Sequence, residues 1–409
     1  MDLRDAFSQS LNDLRQNKLR SALTMFGIAW GIASVVLLVA IVAGFDQGQQ
    51  KSFETLGRDL MIFWGGRTSL ASGVAKAGKP VLLRFDDLPA LGRHAEIRSL
   101  SPETVLWSGR LSYLDKFTQS RVHGVEPQFA QIRSLTVEAG RFINRADVDE
   151  ERQVAVLGAE AKRRLFGGRP AVEEMITIQG LPFRVVGVMP TKDQNSMYYG
   201  PDNEMVVIPW TVARRALGVR WVENLVVQPA DIGRHERTER AVKETIGSAL
   251  GFNPDDPQVL PCWNTVKNAA DARVLFAAVK TLMGAIGAVT LAIGGLGVMN
   301  IMLVALSERV REIGLRKAVG ATRRSILGQF LAEALILCGF SGAFGILLGW
   351  GLCLLVGAAS LPDGFNPPVL SAGAIAAATL VLAGVAIASA IYPALRASRL
   401  DPVTALRYE

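Results

Sequence analysis

Four long stretches without a charged residue divide the chain. They are Ala22–Gly44, Thr281–Ser307, Ala334–Pro362 and Gly364–Leu395. Each is longer than the ~20 apolar residues that a helix needs to cross a hydrocarbon core about 30 Å thick. The hydrophobic pattern therefore predicts four transmembrane helices, with one large insertion, residues 47–271, between the first and the second.

The insertion alternates short apolar runs with turns. Runs rich in β-branched and aromatic residues, ended by Gly, Pro or Asn, predict strands. These strands are Val105–Trp107, Arg121–Val125, Gln153–Leu157, Met175–Gln179, Phe183–Val188 and Met205–Ile208. Helical patterns occupy Phe85–Leu91, Ala159–Phe166, Thr211–Leu217 and Arg234–Leu250. The insertion is thus predicted to be an α+β domain of two subdomains, with a strand-rich middle at about residues 107–209.

Helical periodicity begins well before the second uncharged stretch. It runs from about Val266 to Leu306, which at ~1.5 Å per residue is about 60 Å, twice the hydrocarbon thickness. Lys280 lies within it, and a lysine at the bilayer centre costs about 3 kcal/mol, so we expect it at the outer interface. With the first helix continuing to about Leu56, two stalks would join the membrane to the outer domain. The alternative is that both extensions simply pack on that domain.

The segment Glu308–Arg324 is short and strongly basic. It holds six Lys or Arg residues, opposed only by Glu308 and Glu312. Short membrane-flanking loops of this charge stay in the cytoplasm. Arg396, Arg399 and Arg407 follow the last span, whereas the link 361–369 carries only Asp363. Both termini are therefore predicted to be cytoplasmic and the insertion to lie outside.

The first 20 residues predict an amphipathic helix at the cytoplasmic membrane interface. Its apolar face carries Leu3, Phe7, Leu11 and Leu14 at helical spacing. The apolar run that follows is too long for a cleaved signal peptide, so it is interpreted as a signal anchor. Within it, Gly27 and Gly31 form a small-xxx-small pair that favours close helix packing.

Candidate chemistry is sparse along the chain. The sequence has no G-x-x-x-x-G-K-[ST], no G-x-S-x-G, no H-E-x-x-H and no clustered His and Cys. It therefore predicts no catalytic, cofactor-binding or metal-binding residue on this chain. The net charge of +7 lies largely beside the spans, where it favours contact with anionic lipids rather than nucleic acid.

Glu333 is the ionisable residue nearest to a span. Membrane-embedded acids often carry function. Its position near the cytoplasmic edge favours a structural role, either snorkelling to the interface or an ion pair with a loop arginine such as Arg316. A proton relay is the alternative, but it requires several such groups.

Several motifs together resemble one family. Met299–Val304 with Ser307–Ala321, the ending Tyr392–Arg407, and Leu165–Gly167 followed by Phe183–Met189 resemble ABC transporter permeases of the MacB/FtsX superfamily, of the macrolide-exporter type. The resemblance covers essentially the whole chain in order. It implies a four-helix transmembrane protein of the bacterial inner membrane. A large α+β periplasmic domain, with a porter-like and a strand-rich subdomain, lies between spans 1 and 2.

Pattern and resemblance together predict the domain boundaries. They are 1–20 for the interfacial helix, 21–46 for the first span with its stalk to about 56, 57–265 for the periplasmic domain, 266–307 for the second stalk and span, 308–324 for a coupling segment, 325–361 for the third span, 362–369 for a periplasmic loop, 370–395 for the fourth span and 396–409 for a cytoplasmic tail.

The resemblance also implies partners. It implies a homodimer that recruits a separate ABC ATPase, which holds the ATP and Mg²⁺, because the chain begins directly with the interfacial helix. A periplasmic adaptor (membrane-fusion) protein and an outer-membrane duct are further expected partners. The implied function is mechanotransmission, in which ATP-driven motion reaches the periplasmic domain. A lipoprotein-extracting permease and an FtsX-like signalling permease that regulates a cell-wall hydrolase remain alternatives.

The resemblance places ATPase coupling on the basic segment. The candidate contact residues are Glu308, Arg309, Arg311, Glu312, Ile313, Gly314, Leu315, Arg316, Lys317, Val319 and Gly320. We expect the apolar side chains among them to anchor in a cleft of the ATPase and the charges to set register. The two glycines would permit sharp entry and exit. The alternative is a solvated loop that only fixes topology.

Overall fold

The computed structural model describes residues 18–57, 59–69, 77–194, 197–359, 366–370 and 372–406. The amphipathic helix predicted for residues 1–20 lies outside them except at its last three residues, and so does Asp363. The chain divides into two units. One comprises residues 1–48 and 274–409, and the other comprises residues 49–273.

The described helices follow in chain order. They are α1 Lys18–Leu56, α2 Leu88–Leu91, α3 Gln128–Ile132, α4 Arg145–Asp149, α5 Ala159–Phe166, α6 Trp210–Arg215, α7 His235–Leu250, α8 Thr265–Glu308, α9 Val310–Ala318, α10 Arg323–Ala358, α11 Ala372–Ser398 and α12 Pro402–Leu406. Short 3₁₀ turns precede α2 and α7, where the sequence predicts one continuous helix each.

Within the described residues, four helices are long and apolar enough to cross a membrane. They are Met25–Gly48 within α1, Thr265–Glu308, Arg323–Ala358 and Thr379–Ser398 within α11. Each of them overlaps one of the four uncharged stretches. At ~1.5 Å per residue, the 39 residues of α1 and the 44 residues of α8 are about 60 Å and 65 Å long, far beyond a hydrocarbon core.

Small residues bring the apolar helices of the first unit together. A Cβ at Gly345 would lie 2.6 Å from the carbonyl oxygen of Ala29, so only glycine permits this approach of α10 to α1. Gly31 packs against Thr290 of α8 within the same chain, whereas Gly27 has no such neighbour within 4 Å. The predicted Gly27–Gly31 pair therefore serves packing inside the chain at only one of its positions.

The second unit contains one mixed sheet. Its strands are β1 Met61–Trp64, β2 Ile97–Tyr113, β3 Lys116–Val125, β4 Ala139–Gly140, β5 Val154–Leu157, β6 Met175–Ile178, β7 Leu181–Val188, β8 Met205–Pro209, β9 Asn224–Pro229 and β10 Cys262–Asn264. The six predicted strands are all present among them. The sequence does not predict β1, β4, β9 and β10. β1 and β9 are mostly buried and so lack the alternation that marks a half-exposed strand, whereas β4 and β10 have only two and three residues.

Six strands of this sheet close on themselves. The pairs β2·β3, β3·β8, β8·β5, β5·β7, β7·β6 and β6·β2 complete a ring of described strands, with β3·β8 and β5·β7 parallel. Its core includes Leu111, Ile178, Phe183 and Val206. The first half of β2 instead pairs with β9, which continues through β1 to β10 as an open sheet. The long strand β2 thus belongs to both parts.

The end of α1 and the start of α8 are joined within the second unit. Thr265, the first residue of α8, donates its backbone N–H and its hydroxyl to the carbonyl oxygen of Leu60, at 3.1 and 2.7 Å. Leu60 lies just beyond α1, and strands β1 and β10 pair beside this contact. The start of α8 is therefore hydrogen-bonded to the chain a few residues beyond the end of α1.

Candidate functional site

The basic segment is a helix rather than a loop. α9, Val310–Ala318, follows α8 after the single residue Arg309, whose N–H donates to Ala305 and Leu306 of α8. Beyond α9, Gly320 adopts φ +104°, a conformation that favours glycine and ends the helix sharply. Thr322 then caps α10 by accepting the N–H of Ser325. The segment is therefore one short helix between two tight turns.

One face of α9 is buried against other residues of the same chain. Ile313 is only 3% exposed, and a Cβ at Gly314 would lie 2.7 Å from the Cβ of Ala405 on α12. Lys317 donates from Nζ to the carbonyl oxygen of Ser398 at 2.9 Å and also to that of Leu400. The expectation that Ile313 anchors a partner is therefore wrong, because the core of this unit already covers it. Gly314 likewise serves close packing rather than chain entry.

The opposite face of α9 points outward. Arg311, Glu312, Leu315 and Val319 are exposed, and their spacing of one, four and eight residues puts them on one side of a helix. Leu315 is 56% and Val319 84% exposed. An apolar pair with charges one turn away suits insertion of a helix into a partner's groove. We call these four residues the outer face of α9.

A polar network fixes α9 against α10. Arg309 pairs with the buried Glu333 at 3.3 Å, and Gln329 donates to the same carboxylate oxygen at 3.0 Å. Arg316 donates to Gln329 Oε1 at 2.8 Å and pairs with Glu312. The predicted ion pair of Glu333 with an arginine of the segment 308–324 is present, with Arg309 as its described partner in place of the example residue Arg316. Arg309 takes that place because it lies at the break between α8 and α9, while Arg316 lies two turns further on.

The two long helices also contact each other within the first unit. Lys280 of α8 lies 3.3 Å from a carboxylate oxygen of Asp46 on α1. The rings of Phe45 and Phe276 are 5.2 Å apart beside it. The sequence places Lys280 at an interface but gave no signal for its partner, which is 234 residues away.

The second unit holds a buried polar cluster that sequence patterns did not reveal. The carboxylate of Glu103 on β2 accepts from Tyr198 at 2.6 Å and Asn224 at 2.8 Å and bonds His123 Nδ1 at 2.7 Å. Burial acts to raise the pKa of Glu103, yet its hydrogen bond and charge interaction with His123, together with Arg133, hold that pKa below its usual value. Across the part of the chain that the structure describes, no three His, Cys, Asp or Glu residues could share a metal ion.

Comparison with known proteins places both units in described families. A family model described as "MacB-like periplasmic core domain" matches residues 21–245. A second, "FtsX-like permease C-terminal", matches residues 284–402.

Similar curated proteins are named macrolide export ATP-binding/permease protein MacB. The one from Bdellovibrio bacteriovorus is 34% identical over 408 residues, which is 98% of this chain and 61% of that protein. The MacB 2 of Yersinia pestis bv. Antiqua is 32% identical over 410 residues, or 100% of this chain and 58% of that one. The chain thus spans about three fifths of these relatives.

Among solved structures, the periplasmic region of MacB from Actinobacillus actinomycetemcomitans is similar to part of the chain. Its TM-score is 0.43 at 21% identity, and the match covers 54% of this chain and 95% of that one.

Proposed function

Because the chain belongs to the MacB-like and FtsX-like permease family, we propose that it is the membrane permease of an ABC-type exporter and works as a mechanotransmitter. In this proposal, ATP and Mg²⁺ are bound by a partner ATPase rather than by these 409 residues. Movement of that ATPase enters at α9 and leaves through the periplasmic domain. The observation that carries the proposal is the exposed outer face of α9 directly beside α8.

The helices offer a continuous mechanical path from α9 to the α+β unit. Arg309 alone separates α9 from α8, and α8 is unbroken over 44 residues back to Thr265. Its first residue is hydrogen-bonded to Leu60, next to the end of α1. A packed helix moves as a body rather than deforming continuously, so a displacement at α9 is passed on instead of being absorbed.

The proposed topology follows from charge. The six basic residues of the segment 308–324 favour a cytoplasmic position for α9. The four candidate spans then place both termini in the cytoplasm and the α+β unit, between spans 1 and 2, in the periplasm. This arrangement belongs to the bacterial inner membrane.

The proposed contact set with the ATPase divides into two groups. The outer face of α9, with the exposed Glu308 and Gly320, would touch the partner. The other candidate residues hold α9 in place, namely Arg309, Ile313, Gly314, Arg316 and Lys317. Docking a helix against a groove with both apolar and charged contacts gives affinity and register together.

Further partners are proposed from the family. The assembly would contain two copies of this chain, a periplasmic adaptor protein and an outer-membrane duct, as a tripartite efflux system. The names of the relatives, which include the word export, support efflux over lipoprotein extraction. An FtsX-like signalling role is the second candidate, favoured by the match over residues 284–402. The MacB-like match over residues 21–245 supports the exporter instead.

Docking is tested by charging the outer face of α9. We expect Leu315→Asp with Val319→Asp to weaken capture of the ATPase by at least ~100-fold, because each apolar side chain buried in a groove contributes about 1.5–3 kcal/mol. The measurement is co-purification in detergent and a binding isotherm with the isolated ATPase. Phe117→Asp, at an exposed position of the α+β unit, is the matched control. Unchanged capture by the double variant would contradict the proposal.

A further inference from the structure

The last residue of α1 is held by a buried arginine. Arg133, directly after α3, has only 3% of its surface exposed. Its Nε donates to the carbonyl oxygen of Leu56 at 2.6 Å. Carbonyl groups at a helix end lack partners within the helix. Arg133 therefore supplies the hydrogen bond that the end of α1 needs.

The same guanidinium reaches a second segment of the chain. Its Nη2 donates to Asp202 Oδ1 at 2.9 Å, while Lys192 donates to the other carboxylate oxygen at 2.9 Å. The ring centre of Tyr198 lies 4.6 Å from the guanidinium carbon. Because the guanidinium is rigid and planar, these contacts cannot move independently of one another. We call residues 198–202, which carry Tyr198 and Asp202, the tyrosine segment.

The tyrosine segment leads to the strand that is shared by the ring and the open sheet. The Tyr198 hydroxyl donates to Glu103 on β2 at 2.6 Å. The Glu103 carboxylate is also hydrogen-bonded to Asn224 on β9 and to His123 on β3. An uninterrupted chain of contacts thus runs from Leu56 through Arg133 and Tyr198 to the point where the open sheet meets the ring.

Charge and packing both stabilise the contacts of Arg133 with Asp202 and with the end of α1. Burial acts to raise the pKa of Asp202, yet the positive charges of Arg133 and Lys192 hold that pKa below its usual value, so the ion pair persists at neutral pH. Leu56 lies in one buried apolar cluster with Phe129 and Ile132 of α3. The chain after α1 passes so close to α3 that a Cβ at Gly57 would lie 2.4 Å from the Ile132 carbonyl oxygen.

We propose that Arg133 is the positioning residue that couples the end of α1 to the tyrosine segment and, through it, to β2. The inference rests on the proposed function, because it names where motion of a long helix enters the periplasmic domain. It adds a second route beside the Thr265–Leu60 junction. That junction ties α8 to the start of β1, whereas Arg133 directs the end of α1 to the ring.

The test replaces the guanidinium group of Arg133, which has several N–H donors, by a group with the same charge. In Arg133→Lys, a single ammonium cannot hold the Leu56 carbonyl and the Asp202 carboxylate in the same geometry. Arg121→Lys is the matched control. Arg121 also bonds the neighbourhood of the tyrosine segment, at the Pro201 carbonyl and Glu204, but no contact to Leu56 is described for it. Asp202→Asn, which keeps the volume, replaces Arg133→Lys if the latter does not fold.

The readout is hydrogen exchange of the full chain in lipid nanodiscs without nucleotide. We expect Arg133→Lys to speed exchange about 10-fold in peptides covering both 56–60 and 198–202, since a charge-assisted hydrogen bond is lost at each side. Arg121→Lys should speed exchange only around 198–202. Faster exchange on one side alone in Arg133→Lys would overturn the coupling role.

A second arm separates this inference from the proposed function. With the ATPase and ATP present, the wild-type chain should change exchange at 198–202, and Arg133→Lys should lose most of that change. If the wild-type chain showed no nucleotide response anywhere in residues 59–260, mechanotransmission would fail, whereas the nucleotide-free result would still decide the coupling by Arg133. A full wild-type response in Arg133→Lys would overturn the coupling while leaving mechanotransmission intact.

Discussion

At the scale of residues, buried polar groups decide how the α+β unit is held together. Glu103 lies where β2 leaves the open sheet and enters the ring, and its carboxylate has a partner on each side. A buried carboxylate is tolerated only when its hydrogen-bonding capacity is used. The three partners use that capacity and so stabilise the junction of the two parts.

Removing the charge of Glu103 tests this cluster. Glu103→Gln keeps the volume but weakens every contact, so we expect the free energy of unfolding to fall by about 1–3 kcal/mol at neutral pH. The folded-state pKa lies below its ordinary value of 4.5. The advantage of the wild type is therefore complete above that value and is lost as pH falls through the folded-state pKa.

Denaturant unfolding between pH 3 and 7 measures the difference, because this range spans the ordinary pKa of glutamate, 4.5. Glu236→Gln, at an exposed position of α7, is the control and should stay within about 0.5 kcal/mol of the wild type. A pH-independent difference between Glu103→Gln and the wild type would contradict the assignment of the stability to the ionised carboxylate.

At the scale of elements, the long helices matter because they are unbroken. α8 continues well beyond the uncharged stretch, and Val274 lies exposed in that extension. Proline there removes one backbone hydrogen bond and clashes with the preceding turn, at a cost of about 3 kcal/mol, and so kinks the helix.

Val274→Pro should therefore uncouple the two ends of α8. We expect capture of the ATPase and its hydrolysis rate to stay within about twofold of the wild type, because α9 keeps its own contacts. The nucleotide-dependent change in hydrogen exchange over residues 59–260 should disappear. Val274→Ala is the matched control, and an undiminished response in the proline variant would show that α8 is not the path.

The elements also show which parts of the structure the sequence predicts and which it does not. Long uncharged runs gave the four candidate spans, because hydrophobic length is a strong local signal. The sequence does not predict α9, because Gly314 and Gly320 are interpreted as turn positions at the two ends of the segment, whereas Gly314 lies inside the helix and packs against Ala405. The Arg309–Glu333 and Glu103–His123 contacts join side chains 24 and 20 positions apart on neighbouring elements, and no motif in the sequence identifies those partners. The outer face of α9 can be identified only from the structure, because the sequence does not show that Ile313 is buried on the opposite side.

At the scale of the whole molecule, the proposed topology is testable by labelling. In a background with Cys262, Cys338 and Cys353 replaced, Leu114→Cys on the β2–β3 turn and Val403→Cys on α12 offer two similarly exposed positions. An impermeant maleimide should label the first in cells with a permeabilised outer membrane. It should label the second only after the inner membrane is opened. Labelling of Val403→Cys in sealed cells would contradict a cytoplasmic C-terminus.

The junction between Leu60 and Thr265 joins residues 205 positions apart, and this has a consequence for biosynthesis. Strand β1 leaves the ribosome long before β9 and β10, its described sheet partners, have been made. The ring strands, all within residues 97–209, are complete much earlier and can close first. Domains assemble as their parts emerge, and long loops close last. In the proposed topology, β1 therefore has no sheet to join until β9, residues 224–229, has been translocated, and we expect the hydrogen-bonded junction at Thr265 to be the final part of this domain to form.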